Sequence, residues 1–390
     1  MTLPSPGLSL SRFSIQRPDH EIEQERALTW LAAAHVASEC ALRSLDDREK
    51  EAFAARIEAA LQRCACGPRS IGMRGHSVPD VGRTDWDAMQ IYDVTRHPRG
   101  KGAGARADFF RKIVTAYFER EYESESAAPG DLIHVTCTGY TAPSGAQEIV
   151  DSRGWGALTR VTHAYHMGCY AAFPALRIAA GQLMLPSAFG SSSAEPRVDI
   201  AHTELCSLHL DPSNHSLEQL VVQSLFADGF IRYSLGTDAV GPRFRVLALA
   251  ERTLPESRHA MTWSLSDIGM QMTLSRDVPE RVGIALRDFV TDLYRRADLE
   301  LGEVFSSTVF AVHPGGPKII DGVRSRLELT DAQVEISRDV LFRYGNMSSA
   351  TLPHIWMRIL ADPKIATGTL VLSLAFGPGL TICGGLFRKE

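Results

Sequence analysis

The sequence predicts an α/β fold in which sheets are covered by helices. Three observations lead there. Short apolar runs of strand length alternate with stretches of helical periodicity from about residue 105 onward. The same rhythm recurs in the second half of the chain. The length of 390 residues, with 44% of them hydrophobic, supplies a large core, as two or three domain-sized units or one duplicated unit.

The elements follow in order. Residues 21–43 read as a helix with Leu28, Leu31 and Ala34 on one face. Asp46 and Asp47 cap a second helix carrying Phe53, Ile57 and Leu61 at a spacing of four. Residues 67–104 are rich in Gly, Pro, Asp and Arg and read as loop with short strand. Residues 106–120 return to helix. Strands are predicted at 132–137, 160–165, 198–205 and 230–235, with helices at 171–180 and 216–226. In the second half, strands are predicted at 244–250, 308–312, 369–374 and 381–387, and helices at 281–294 and 331–344. No low-complexity segment, short-period repeat or flexible linker separates the halves.

Bulk properties exclude several classes of function. The net charge is -5 and no long Lys/Arg run is present, so nothing favours nucleic acid. Seven cysteines, an odd number spread along the chain, are not a secreted disulfide framework. Free thiols in a reducing compartment, hence a cytoplasmic enzyme of bacterial type, are expected. Residues 1–20 lack a signal-peptide core, and no run reaches the roughly 18 apolar residues of a membrane span. Cys64 and Cys66 are too close and lack a second pair, so no metal is expected.

Four elements could carry chemistry. Cys169 follows an apolar strand and precedes a helical pattern, with Gly168 allowing a sharp turn. A thiol at a helix N-terminus has its pKa lowered by the dipole, which favours the thiolate nucleophile. A buried, inert cysteine is the competing reading. His313 ends a strand and opens His313-Pro314-Gly315-Gly316-Pro317, so it can point into a cleft or be incidental to a turn. Asn346, in Tyr344-Gly345-Asn346-Met347-Ser348-Ser349, reads as a helix cap as readily as a catalyst. Phe376-Gly377-Pro378-Gly379-Leu380 is a tight turn between two apolar strands.

Taken together, these motifs in this order resemble the chalcone synthase-like type III polyketide synthases, of the thiolase superfamily. Cys137-Thr138-Gly139 and Pro143 resemble the strand and loop lining that family's cavity. Glu204-Leu205-Cys206-Ser207 and Leu225-Phe226-Ala227-Asp228-Gly229 resemble its later segments. The resemblance runs from about residue 105 to the end and is weaker over 20–104.

It implies a five-layered α-β-α-β-α thiolase-like fold of two pseudo-symmetric halves, residues 1–239 with the nucleophile and 240–390 with the His and Asn. It also implies a homodimer. Cys169 would carry an acyl starter, and His313 would pair with it as thiolate and imidazolium. His313 and Asn346 would hold the oxygen of a malonyl-type thioester as decarboxylation forms an enolate. No cofactor is needed.

The family's two gatekeeper Phe positions fall on His209 or Leu210 and on Met272. A Met in place of a ring predicts a pocket open to bulkier acyl chains. Among carrier-gripping basic residues only Arg63 has a match. Gly67 stands where a Lys is expected, and Lys318, beside Gly316, could compensate. Ser348 falls in the same carrier-side group. CoA or an acyl carrier protein is therefore the expected donor. Rival readings are a single ketosynthase III-like condensation, the joining of two carrier-bound β-ketoacyl chains, acyl transfer to an alcohol or amine, and a silent subunit that shapes a partner's cavity.

Overall fold

The computed structural model describes residues 7–125, 127–184, 197–237 and 241–390. The expected boundary at 239/240 lies outside the described residues. Thirteen strands are found among them: β1 (Ser9–Gln16), β2 (His20–Glu23), β3 (Met73–His76), β4 (Asp131–Thr136), β5 (Arg160–Tyr165), β6 (Arg197–Glu204), β7 (Gly229–Gly236), β8 (Phe244–Thr253), β9 (Met261–Ser266), β10 (Gly269–Leu274), β11 (Val309–Val312), β12 (Leu370–Gly377) and β13 (Thr381–Lys389). The helices are α1 (Gln24–Leu42), α2 (Asp47–Cys64), α3 (Ala103–Glu121), α4 (Gly145–Ser152), α5 (Ala172–Met184), α6 (Leu217–Leu225), α7 (Val278–Arg296), α8 (Leu301–Val304), α9 (Pro317–Leu327), α10 (Asp331–Tyr344) and α11 (Thr351–Ala361).

Nine strands pair in the order β11-β12-β13-β8-β1-β7-β6-β4-β5. The order contains one arrangement twice. In the first run β4 and β6 are parallel, and β7 and β1 follow antiparallel. In the second, β11 and β12 are parallel, and β13 and β8 follow antiparallel. The runs join through Ser9↔Arg245 and Leu10↔Phe244, extended by Val246 N–H donating to Leu8 O at 2.9 Å. Among the described residues β5 has no counterpart in the second run. Its place along the chain is taken by the segment after α10, whose only ladder contact is an isolated bridge, Phe226↔Asn346.

Three apolar clusters set the layers. Helices α1 to α4 pack on one run through Trp30, Phe118 and Leu132. Helices α5 and α11 form the middle layer through Leu176, Ile355 and Trp356. Helices α7, α9 and α10 cover the other run through Phe289, Ile320 and Val334. This is the thiolase-like α-β-α-β-α arrangement. No helix among the described residues is long and apolar enough to cross a membrane.

Local chemistry explains several boundaries. α2, α4 and α10 open on reciprocal capping boxes at Asp46/Glu49, Ser144/Gln147 and Thr330/Gln333. The expected helix at 21–43 starts later, at Gln24, because His20–Glu23 pairs with β3 and buries only Ile22. α9 and α11 are not predicted from sequence, since their first turns carry Pro317 and Pro353. Proline is tolerated there, where the missing N–H is an orphan in any case.

Candidate active site

Cys169 sits in a short 3-10 turn, Gly168–Tyr170, between β5 and α5. Gly168 has φ 72°, and a Cβ there would lie 2.9 Å from Pro378 Cδ. A Cβ on Gly377 would lie 2.1 Å from Tyr170 Cδ1. The Gly-Pro-Gly turn after β12 therefore presses on the nucleophile turn, and both glycines are required by that approach.

The Cys169 thiol is buried and lies 3.8 Å from Ser348 Oγ, which also lies 3.1 Å from Cys137 Sγ. Burial pushes the Cys169 thiol up to about 12. The Ser348 contact opposes this and the nearby Glu204 adds to it. The expected lowering by a helix dipole is thus outweighed: withdrawal from water disfavours the lone thiolate more strongly.

Asn346 follows Gly345, whose φ is 73°. Its backbone N–H donates to Leu225 O at 3.1 Å, and its carbonyl accepts from Ala227 N–H at 2.8 Å. Its Oδ1 accepts from Ser348 N–H at 2.9 Å and from the Thr351 hydroxyl at 3.4 Å. The amide orientation is fixed by these bonds, and the buried Nδ2 has no partner. Cys169 and Asn346 are therefore joined through a single residue, Ser348.

His313 follows β11, with its N–H donated to Leu374 O at 2.8 Å. It is 1% exposed, and neither ring nitrogen has a partner. Burial lowers it to about 3, which leaves a neutral imidazole. Gly316, three residues on, comes against Leu225, the residue that holds the Asn346 N–H. Buried polar atoms are normally satisfied. The amide NH2 of Asn346 and both ring nitrogens of His313 are thus free to meet a ligand.

Beside Cys169 lies a narrow cavity. Of the residues expected there, Cys137, Phe226, Met272 and Pro378 line it; Ser348, expected near the carrier, lines it as well. Cys206, noted in the sequence only within a family segment, also lines it, and so do Met261, Thr262 and Trp263, which the sequence reading passes over. The apolar residues at 261, 263 and 265, on one face of β9, were a signal for this strand; Met261 is buried, Trp263 half-buried and Leu265 exposed.

Other expected residues lie elsewhere. Thr138 turns into the protein, donating to Glu204 Oε2 at 2.9 Å and accepting from Leu205 N–H at 2.9 Å. His209 accepts Met270 N–H on Nδ1 at 3.1 Å, so Nε2 carries its proton and donates to Thr138 O at 2.7 Å. Its ring meets that of Trp263 edge-on, 6.0 Å between centroids. Leu210 lines a second narrow cavity, with Trp30, His76 and Phe226.

Neither His209 nor Leu210 is thus at the wall where a gatekeeper was expected. Phe226 and Trp263 supply two rings there, so Met272 alone does not open the pocket. Gly379, with φ 106°, accepts Ser257 OγH at 3.2 Å and only shapes the turn. Arg63 is exposed in the last turn of α2, and Lys318 in the first turn of α9. Arg276, unremarked in the sequence, joins Arg63 near Cys64: both guanidinia oppose the rise that burial imposes on that thiol.

The layered scaffold is thiolase-like; on it Ser348 joins the Cys169 thiol to the Asn346 amide, while no hydrogen bond joins the His313 ring to either. The chalcone and stilbene synthase C-terminal domain matches residues 246–389. Probable polyketide synthase 1 of Dictyostelium discoideum is 31% identical over 293 residues, which is 72% of this chain and 9% of that much longer protein. Type III polyketide synthase C of Arabidopsis thaliana is 30% identical over 269 residues, 66% of this chain and 67% of its own. The crystal structure of PKS-I from the brown alga Ectocarpus siliculosus superposes with a TM-score of 0.80 at 21% identity, covering 100% of both chains. The chain belongs to the type III polyketide synthases. It is a transferase that makes polyketides by condensation.

Proposed function

We propose that the chain condenses an acyl thioester, held on Cys169, with a malonyl-type thioester by decarboxylation. The observation that carries this is the unpartnered Asn346 Nδ2, held in place by an anchored Oδ1 and linked through Ser348 to Cys169. In loading, the neutral His313 takes the Cys169 proton as sulfur attacks the starter carbonyl, and the carrier thiol leaves with that proton. A charge placed on both sulfur and imidazole at that moment is a mutually attracting pair, which offsets the burial of each. The malonyl thioester oxygen then faces His313 and Asn346. Loss of CO2 leaves its electron pair as an enolate, which those donors stabilise. The enolate carbon attacks the acyl–Cys169 carbonyl, and the Cys169 sulfur is expelled.

The donor we propose is CoA, with Arg63 and Arg276 at the phosphate end. Their convergence on Cys64 supports it. The narrow cavity beside Cys169, with rings at Phe226 and Trp263, suits a compact starter. The halves 1–239 and 240–390 would each contribute to the site. A second copy would pair at β5, the terminal strand of the order, making a homodimer. All seven cysteines are free, which suits the cytoplasm.

The test is incubation with an acyl-CoA panel and malonyl-CoA labelled in its free carboxyl. Labelled CO2 with a lengthened product supports the reading. Transfer of the acyl group to an alcohol or amine with no labelled CO2 rejects it.

A further inference from the structure

Arg74 lies on β3, far in sequence from every element of the site. It is buried, and none of the ion pairs among the described residues includes it. Its guanidinium instead reaches the end of α6: Nη1 donates to Gln223 O at 2.8 Å and to Phe226 O at 3.0 Å. These carbonyls stand at a helix C-terminus, where backbone acceptors lack intrahelical donors and partial negative charge collects. On its other side the stem of Arg74 packs on Gly345, with Cγ 3.1 Å from where a Cβ there would be.

Asn346 is held by the two residues that flank Phe226. Leu225 O accepts its N–H at 3.1 Å, and Ala227 N–H donates to its carbonyl at 2.8 Å. β3 is itself fixed to the same segment, by Asp228 N–H on Gly75 O at 2.9 Å and by Ser77 N–H on Asp228 Oδ2 at 2.6 Å. Arg74 thus clamps both strands of the isolated bridge Phe226↔Asn346.

We infer that Arg74 is a positioning residue for the Asn346 amide, acting through the C-terminal end of α6. The inference rests on the decarboxylating role proposed above for Asn346. A hydrophobic residue at 74 would leave the carbonyls of Gln223 and Phe226 without donors, and the 225–227 segment would shift with Asn346 on it. A displacement of about 1 Å at a reacting centre can cost roughly 100-fold in rate.

The experiment compares Arg74→Met, Arg74→Lys, Asn346→Ala and Arg74→Met/Asn346→Ala. Acylation of Cys169 is read by intact mass, and decarboxylation by labelled CO2 from malonyl-CoA. In Arg74→Met, CO2 release should fall by about tenfold or more while acylation stays within about twofold, because Cys169 is not held by the α6 end. Arg74→Lys keeps a cation at the helix end, reaches one carbonyl, and should lie between. It carries the comparison should the methionine variant fail to fold. The double variant should release CO2 no more slowly than Asn346→Ala, since the two residues act as one.

Parallel loss of acylation and CO2 release in Arg74→Met and Arg74→Lys would overturn the inference, as would a further multiplicative loss in the double variant. If Asn346→Ala itself leaves CO2 release intact, the role of Asn346 falls and the inference falls with it. If Asn346→Ala behaves as proposed and the Arg74 variants do not, the inference alone fails.

Discussion

Six histidines are buried without charge: His35, His76, His134, His202, His313 and His354 are each no more than 5% exposed. Burial is the first cause in every case and holds them at about 3 or 4. Unfolding restores an ordinary value near 6.5, so below that pH the unfolded chain binds protons the folded chain refuses. The stability these groups contribute is therefore present above about 6.5 and is lost as pH falls toward 4. At pH 5.5 each costs on the order of 1 kcal/mol, and the six together several kcal/mol.

Asp228 works the other way. Burial raises it to about 6, so it takes up a proton in the folded state first and returns about 1 kcal/mol over the same interval. Glu204, also raised by burial, adds in the same sense. A domain typically has about 5–15 kcal/mol to lose. Urea unfolding followed by tryptophan fluorescence at pH 7.5, 6.5 and 5.5 should show most of the stability gone at 5.5. Stability at pH 5.5 within about 1 kcal/mol of that at 7.5 would refute the reasoning, by showing that these rings are already protonated or hydrated in the folded state.

Three further outcomes follow. Asn346→Ala removes the unpartnered amide donor, so CO2 release should fall by about 100- to 1,000-fold with loading preserved. The Ser348 N–H it leaves behind should cost about 1–3 kcal/mol in a denaturation curve. Trp263→Ala should shift the acyl-CoA preference toward longer chains, because the indole is pinned against the cavity by its bond to Cys137 O at 2.7 Å; an unchanged preference profile would show that another side chain sets the limit. Arg63→Glu with Arg276→Glu should raise KM for CoA thioesters more than kcat falls, and increasing salt should shrink the difference.

Much of the site was legible because its residues carry backbone demands. Gly168, Gly345 and Gly379 have positive φ, and the motifs containing them are short, local and recognisable. The same holds for strands such as 132–137 and 160–165, whose apolar runs match β4 and β5 to within a residue or so. What was illegible depends on distant pairing. β1 reads as polar surface, since Arg12, Ser14 and Gln16 interrupt it, yet it joins the two runs of the sheet. The β9–β10 hairpin brings Trp263 to the cavity through a bond to Cys137, 126 residues away. The one-residue gap near His209 left the first gatekeeper position open between His209 and Leu210, and only packing shows that neither lines the cavity beside Cys169. The thiol's pKa direction was missed for a related reason: a helix dipole is visible in sequence, and burial depth is not.

The central claim is that the sulfur of Cys169 carries the acyl group. Intact-mass measurement after brief incubation with an acyl-CoA, followed by peptide mapping, tests it directly. The account predicts a single acyl adduct on residue 169 that malonyl-CoA then discharges, and none in Cys169→Ala. An adduct mapped to Cys137 or Cys206, or full product formation by Cys169→Ala, would contradict it.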